Sequence, residues 1–315
     1  MQYKEVAGGI CAPKGFAAAG VHCGIRANHS EKYDLALIKA DVRCAAAGVY
    51  TTNKVCGAPI KVDRAHLADG YAQAIVVNSG NANTCAANGV ALAEECCELV
   101  GKALDIDAMD VLPASTGVIG QVLPIEPIIT AVPTLVKELD YGKNEEAATA
   151  IMTTDTVKKE YAVEFQLDGK TCRLGGMAKG SGMIHPNMGT MLCFITTDCA
   201  ITHEMLEDAL REVVARTFNR VTVDGDTSTN DTILGLANGA SGVAARDEAD
   251  LALLEEALTA ILGTVSHMLV MDGEGASKVI HISVRGARND ADAELVARSV
   301  GHSQLVKTAI YGGDA

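Results

Sequence analysis

The sequence predicts an α/β protein in which helices and strands pack in layers. Hydrophobic residues make up 48% of the 315 positions, which is enough to fill a sizeable core. Segments rich in β-branched residues, typical of buried strands, occur along the same chain as segments with helical spacing. Aromatic residues are only 3% and Trp is absent, so small aliphatic side chains and close backbone approach must supply the packing.

Apolar, β-branched segments predict the strands. The clearest local signal is a hairpin, because Asp168-Gly169 stands between two alternating runs and favours the positive φ angles of a tight turn. Residues 306–311 also look like the start of a strand. The other predicted strands are 34–41, 47–52, 73–78, 191–197, 220–223 and 279–284.

Apolar residues spaced three and four apart predict helices over 90–104, 204–218 and 247–270. Thr202 and Asp247 are suitable N-caps for the second and third of these. A fourth helix is predicted to begin near Asp290. The polar segment 140–150 is the best candidate for an internal boundary.

Composition argues against several classes of partner. The formal net charge is −14 and no Lys/Arg-rich run is present, which disfavours nucleic acid. No stretch of 18 apolar residues and no signal-peptide pattern is found, so we expect a cytoplasmic protein without a membrane partner. The ten cysteines include no C-x-x-C pair and are interpreted as free thiols. The acidic loop 223–231 lacks the Gly and Glu of a calcium loop, so no metal is predicted.

The most unusual segment is a Gly- and Pro-punctuated loop that ends at Gly189 and is followed at once by Thr190 and a predicted strand. Such a junction suits autoproteolysis, because the Thr hydroxyl can attack the preceding carbonyl and a small residue allows the strained geometry. The alternative is an ordinary loop before a strand that begins with Thr. The local pattern alone favours that alternative.

Cleavage at this junction would create a nucleophile and its base in one residue. A Thr hydroxyl needs a base, and a new α-amine with a pKa of about 7.7 to 8.0 suits that task. No G-x-S-x-G motif is present, and the eight His are dispersed. His185, the nearest of them, is interpreted as a loop or packing residue.

Two further loops could complete a site. Amide groups and a Thr hydroxyl in the Gly-bearing turn 113–120 could bind the oxyanion of a tetrahedral intermediate, although the turn is equally well structural. An acidic group in the glycine-flanked loops 223–231 or 271–276 could meet the amine of a substrate.

Several motifs together resemble the ornithine acetyltransferase family, the bifunctional proteins of arginine biosynthesis. The resemblance covers about residues 8–312, and its motifs are NSGNANTCA, PASTGVIG, KGSGMIHPNMGTML, VDGDTSTNDT, DGEGASK and LVKTAIYG. It implies a layered α/β sandwich with a smaller mixed second lobe. It also implies self-cleavage into an α chain, 1–189, and a β chain, 190–315, which assemble as α2β2.

The resemblance implies transfer of an acetyl group from N-acetylornithine to glutamate through an acetyl-enzyme. It implies no cofactor, with acetyl-CoA as a possible second acetyl donor. The implied nucleophile is Thr190, and the implied cleavage site lies between Gly189 and Thr190. The implied oxyanion pair is Thr116 and Gly117, and the implied substrate contacts are Thr156, Lys179, Thr190 and Glu274.

The chain departs from the family pattern in two ways. Gly189 stands where the family usually has Ala. Family members also continue beyond the KTAIYG motif, and the substrate-binding Asn and Thr of that tail have no counterpart in this sequence, so we expect exposed apolar surface. Two other functions stay open: an N-terminal-nucleophile amidase or peptidase with water as acceptor, and an unprocessed inactive fragment.

Overall fold

The computed structural model describes residues 3–26, 31–185 and 191–313. Its strands form one nine-stranded sheet, so the predicted α/β class is confirmed. The strands are β1 (Lys4–Glu5), β2 (Phe16–Val21), β3 (Leu35–Tyr50), β4 (Tyr71–Asn78), β5 (Val111–Ser115), β6 (Lys159–Leu167), β7 (Lys170–Lys179), β8 (Leu192–Thr197) and β9 (Thr232–Ala237).

The helices confirm the start signals in the sequence. The side chains of Thr202 and Asp247 each accept a hydrogen bond from a backbone N–H of the first turn that follows, which satisfies donors that a helix leaves free. The helices are α1 (Ala58–His66), α2 (Gly89–Leu104), α3 (Ile125–Lys137), α4 (Asn144–Ala150), α5 (His203–Arg216), α6 (Glu248–Met271), α7 (Asp290–Gly301) and α8 (Gln304–Gly312).

The long strand β3 joins the two halves of the sheet. Its first part pairs with β2 and β4, and its last part pairs with β9. The register with β4 shifts between Lys39 and Cys44, and such an irregularity bends a strand. The pairs β4–β5 and β8–β9 are parallel, so the carboxyl ends of β4 and β5 meet at one edge of the sheet.

Alternating side chains show that the sheet folds over a shared central core. Phe194 of β8 and Ile38 of β3 belong to one central cluster, which also takes in α4. Their neighbours face outward: Ile195 packs in a cluster with α5 and α6, and Leu37 in a cluster with α2 and α3. Strand side chains alternate between the two faces of a sheet. The two halves of the folded sheet therefore form two inner layers around the central cluster, and helices cover the outer face of each half.

Five strand predictions need correction. The segments 34–41 and 47–52 are parts of the single strand β3. Residues 220–223 and 279–284 form no strand, and residues 306–311 lie in helix α8, whose N-cap is Ser303. An apolar run of this length fits either a strand or one turn and a half of helix, so periodicity could not separate the two. The predicted hairpin is confirmed, with positive φ at Asp168 and Gly169.

Helix α6 is long and apolar enough to cross a membrane by length and composition alone. Its apolar side, which includes Leu258, Ile261 and Leu262, is buried in the core beside the sheet. This packing is typical of a core helix. Helices α7 and α8 bury no side chain fully, and Leu295 and Leu305 are 67% and 79% exposed.

Candidate active site

The predicted cleavage site, Gly189 and Thr190, lies outside the described residues. The chain is described again from Met191, which is buried and leads into β8. The N–H of Met191 donates to Oδ1 of Asp231 over 2.9 Å, and its carbonyl accepts from the N–H of Thr232. These bonds place the start of β8 beside the start of β9.

The turn with the predicted oxyanion pair follows β5. The N–H of Thr116 donates to the carbonyl of Asn78 over 3.0 Å, so only the hydroxyl of Thr116 remains as a donor. Gly117 has a φ of 130°, and a β-carbon there would lie 2.5 Å from the carbonyl carbon of Gly80. No described residue accepts a hydrogen bond from the N–H of Gly117. The turn therefore offers one hydroxyl and one amide donor.

Asn230 fixes this turn from the neighbouring segment. Its amide nitrogen donates to the carbonyls of Ala82 and Ser115, over 2.6 Å and 2.9 Å, and its side-chain oxygen accepts from the hydroxyl of Thr84. One buried amide thus ties the loop after β4 to the end of β5. Loops held by buried, satisfied polar groups keep a single geometry.

Lys179, the last residue of β7, brings its ammonium group to the same turn. Its Nζ donates to the hydroxyls of Thr116, over 3.3 Å, and Thr153, over 2.7 Å. The nearest carboxylate, Asp155, is 3.9 Å away. The side chain is buried, and loss of solvation lowers the pKa of Lys179 below its ordinary value. Carboxylates in the surroundings oppose this shift, but among the described residues the ammonium donates hydrogen bonds only to neutral hydroxyls.

Thr156 is held at the rim of the site by Asp272. The N–H of Thr156 donates to Oδ2 of Asp272 over 2.9 Å, and its hydroxyl donates to Oδ1. The ammonium of Lys159 also donates to Asp272, and to Asp155, over 2.7 Å in each case. Sequence reasoning missed Asp155 and Lys159, because a pair four residues apart outside a helix gives no recognisable signal.

Glu274 lies against the loop after β7. Its N–H donates to the carbonyl of Ser181 over 2.7 Å, and a β-carbon on Gly182 would lie 2.6 Å from its carboxyl carbon. Glu274 also lines a cavity of about 900 Å³ beside α6, α7 and α8, whose lining does not include Thr116 or Lys179. The structure thus brings Thr116, Gly117 and Lys179 together, whereas Thr156 and Glu274 contact other residues, Asp272 and Ser181, on neighbouring segments.

Asp231 is a third residue whose role sequence reasoning missed. Oδ2 of its carboxyl is buried and accepts no hydrogen bond from the described residues. Burial raises the pKa of Asp231 to about 8, although the N–H of Met191 and the charge of Lys179 oppose the shift. A carboxyl with a pKa of about 8 therefore accepts a hydrogen bond from Met191, the residue that follows the predicted nucleophile in sequence.

His185 packs in the way that the sequence predicted. Its ring lies 4.5 Å from the ring of His302, centroid to centroid, and loss of solvation lowers the pKa of both imidazoles. The described His, Cys, Asp and Glu residues form no group that could hold a metal ion. The hydroxyl of Thr116 and the N–H of Gly117 could donate hydrogen bonds to a developing oxyanion, beside the buried ammonium of Lys179.

Solved structures and curated proteins resemble this chain. The L-aminopeptidase D-Ala-esterase/amidase of Ochrobactrum anthropi, described as a variant of the Ntn hydrolase fold, is 11% identical with a TM-score of 0.55 over 84% of this chain and 86% of that one. That likeness concerns the fold alone. An ornithine acetyltransferase of Mycobacterium tuberculosis, solved with ornithine, is 37% identical with a TM-score of 0.54 over 59% of this chain and 98% of that one.

Sequence comparison is more specific. The arginine biosynthesis bifunctional protein ArgJ of Nitratidesulfovibrio vulgaris is 53% identical over 305 residues, which cover 96% of this chain and 77% of that protein. The model of the ArgJ family matches residues 17–315. The chain is a member of the ArgJ family.

Proposed function

We propose that this chain is an acetyltransferase of arginine biosynthesis that moves an acetyl group from N-acetylornithine to glutamate. Membership of the ArgJ family supports the reaction class. The observation that carries the proposal is the contact between Lys179 and Thr116, over 3.3 Å. It brings a buried cation for a substrate carboxylate next to hydrogen-bond donors for an oxyanion.

The chain first cleaves itself between Gly189 and Thr190. The new α-amine of Thr190 then takes the proton of its own hydroxyl as the oxygen attacks the acetyl carbonyl. The hydroxyl of Thr116 and the N–H of Gly117 stabilise the oxyanion. Ornithine leaves with the proton that the amine held, and the acetyl group stays on Thr190 until the amine of glutamate attacks it.

The remaining residues bind the substrate. Lys179 receives the α-carboxylate, Glu274 receives the ammonium of the ornithine side chain, and Thr156 contributes a hydroxyl at the rim. Glu274 is exposed and Lys179 is buried, which supports this assignment of the two substrate groups. The side-chain ammonium of ornithine is on a flexible chain and reaches the rim more easily than the α-carboxylate, which is attached directly to the Cα atom.

The assembly and location belong to the same proposal. The α chain comprises residues 1–189 and the β chain residues 190–315, and two copies of each form an α2β2 enzyme. The enzyme works in the cytoplasm without a cofactor, and acetyl-CoA serves as a second acetyl donor. These features follow from the family resemblance and the composition of the chain.

Intact-mass analysis of the purified protein tests the cleavage. We expect two chains with masses of residues 1–189 and 190–315. Thr190→Ala should leave one chain, whereas Thr190→Ser, which keeps a hydroxyl, should still be cleaved. A single wild-type chain would support the inert fragment instead.

Acceptor competition tests the reaction. With N-acetylornithine carrying a labelled acetyl group, we expect the label in N-acetylglutamate when glutamate is present. Label that appears only as acetate, even with abundant glutamate, would assign the chain as an amidase.

A further inference from the structure

Lys159 is a buried cation held between two carboxylates. Its side chain is fully buried, and Nζ donates to Asp155 and Asp272 over 2.7 Å in each case. The carboxylates of both partners are also almost fully buried. Such a group is costly to desolvate unless each charge is paired. The positive charge at position 159 is therefore needed to balance these two buried carboxylates.

The two carboxylates connect Lys159 to the segments that carry the site. Asp155 accepts from the N–H of Gly180 over 2.6 Å, directly after Lys179. Asp272 accepts from the N–H and hydroxyl of Thr156. Removal of Lys159 would thus alter the charge next to Lys179 and next to Thr156.

Two lysine ammonium groups, those of Lys159 and Lys179, lie close to Asp155. Oδ1 of Asp155 lies 2.7 Å from Nζ of Lys159, but its Oδ2 is 3.9 Å from Nζ of Lys179, so of the two lysines only Lys159 forms a hydrogen-bonded ion pair with it. Lys179 instead points to the neutral hydroxyls of Thr153 and Thr116. Its charge is thereby kept available for an anion brought by a ligand.

We propose that Lys159 is a positioning residue that determines the preference of the site for a substrate carboxylate. By neutralising Asp155, it prevents that carboxylate from capturing Lys179, which then recognises the α-carboxylate of the substrate. This inference rests on the proposed function and assigns a role to a residue that does not itself contact substrate.

Lys159→Met tests the proposal, with Lys158→Met as the matched control. Lys158 is the neighbouring lysine, partly exposed and paired with Glu145 away from Asp155. The measurement is KM for N-acetylornithine and for its α-carboxamide analogue. We expect the wild type and Lys158→Met to prefer the carboxylate by about tenfold or more, equivalent to about 1.4 kcal/mol. Lys159→Met should lose most of that preference while kcat changes less than about threefold.

A second substitution separates electrostatics from structural damage. In Lys159→Met with Asp155→Asn, the competing carboxylate is absent, so the preference for the carboxylate substrate should return. A preference that is unchanged in Lys159→Met, or lost in Lys159→Met and not restored in the double variant, overturns the proposal. If Lys159→Met does not fold, Asp155→Asn alone decides: its preference should equal or exceed that of the wild type, and a fall contradicts the proposal.

Binding measurements separate this inference from the proposed function. Calorimetric titration of the two ligands into the same variants needs no turnover. If the wild type transfers no acetyl group, the proposed function fails, but the carboxylate preference and its dependence on Lys159 can still be measured. If transfer is normal and binding by Lys159→Met equals that of the wild type, only the inference fails.

Discussion

The N–H of Met191 donates to Oδ1 of Asp231 over 2.9 Å, while the second oxygen of that carboxyl is buried without a described partner. The backbone bond fixes the residue that follows the proposed nucleophile. Burial raises the pKa of this carboxyl to about 8. Asp231 therefore links the position of the β8 start to the protonation state of the site.

Asp231 should make stability depend on pH in a defined direction. The folded protein keeps the proton up to a pH of about 8, whereas an unfolded Asp loses it near about 3.9, so the folded state binds more protons between these values. The stabilisation is complete below pH of about 3.9 and is lost as pH rises through about 8, by at most about 1.4 kcal/mol per pH unit.

Thermal unfolding of wild type and Asp231→Asn, each from pH 5 to pH 9, checks this prediction. Because the amide cannot titrate, the Tm of the variant relative to the wild type should rise with pH and level off above about 8. A difference in Tm that is constant across the range would contradict a raised pKa.

Thr116 should act through its hydroxyl alone, since its N–H is bonded to the carbonyl of Asn78. Thr116→Val, which keeps the shape, should lower kcat by about 10²- to 10³-fold with little change in KM. Thr116→Ser should retain most activity. Steady-state kinetics measures both, and equal losses in the two variants would show that the methyl group matters instead of the hydroxyl.

Gly117 should not tolerate a side chain. Its positive φ and the 2.5 Å approach of a β-carbon to the backbone of Gly80 require the turn to open. Gly117→Ala should lower the free energy of unfolding by about 2 kcal/mol or more and abolish transfer.

Gly120→Ala is the matched control for Gly117→Ala. Gly120 also has a positive φ, 83°, but a β-carbon there meets no atom within 4 Å. It should cost only about 1 kcal/mol, from backbone strain, and leave activity close to that of the wild type. Urea denaturation and activity assays of the two variants would contradict this account if both behaved alike.

The hydrogen bonds that the side-chain amide of Asn230 donates should be needed for stability. Asn230→Asp keeps the size of the side chain but turns an acceptor toward the carbonyls of Ala82 and Ser115. We expect a loss of about 3 kcal/mol in the free energy of unfolding, because buried carbonyls lose their partner and face a like charge. Asn88→Asp, at an exposed position whose side chain makes no capping hydrogen bond at the start of α2, should cost less than about 1 kcal/mol in the same urea denaturation experiment.

Local sequence patterns correctly predicted those structural elements that neighbouring residues determine. The helix that Thr202 caps and the hairpin at Asp168-Gly169 were both predictable, since neighbouring residues alone determine N-caps and tight turns. The segments 279–284 and 306–311 were mispredicted as strands. A strand needs a partner from elsewhere in the chain, and no local pattern reveals whether one is present.

The sequence by itself determined the α/β class, the family motifs and the residues expected to do the chemistry. Thr116, Lys179 and Glu274 could be named because each stands in a recognisable motif. Only the tertiary structure decided their burial and their hydrogen-bond partners. The importance of Lys159 and Asp231 was visible only in the tertiary structure. Whether a buried charge is paired depends on its burial and on its distance from groups that are far away in sequence.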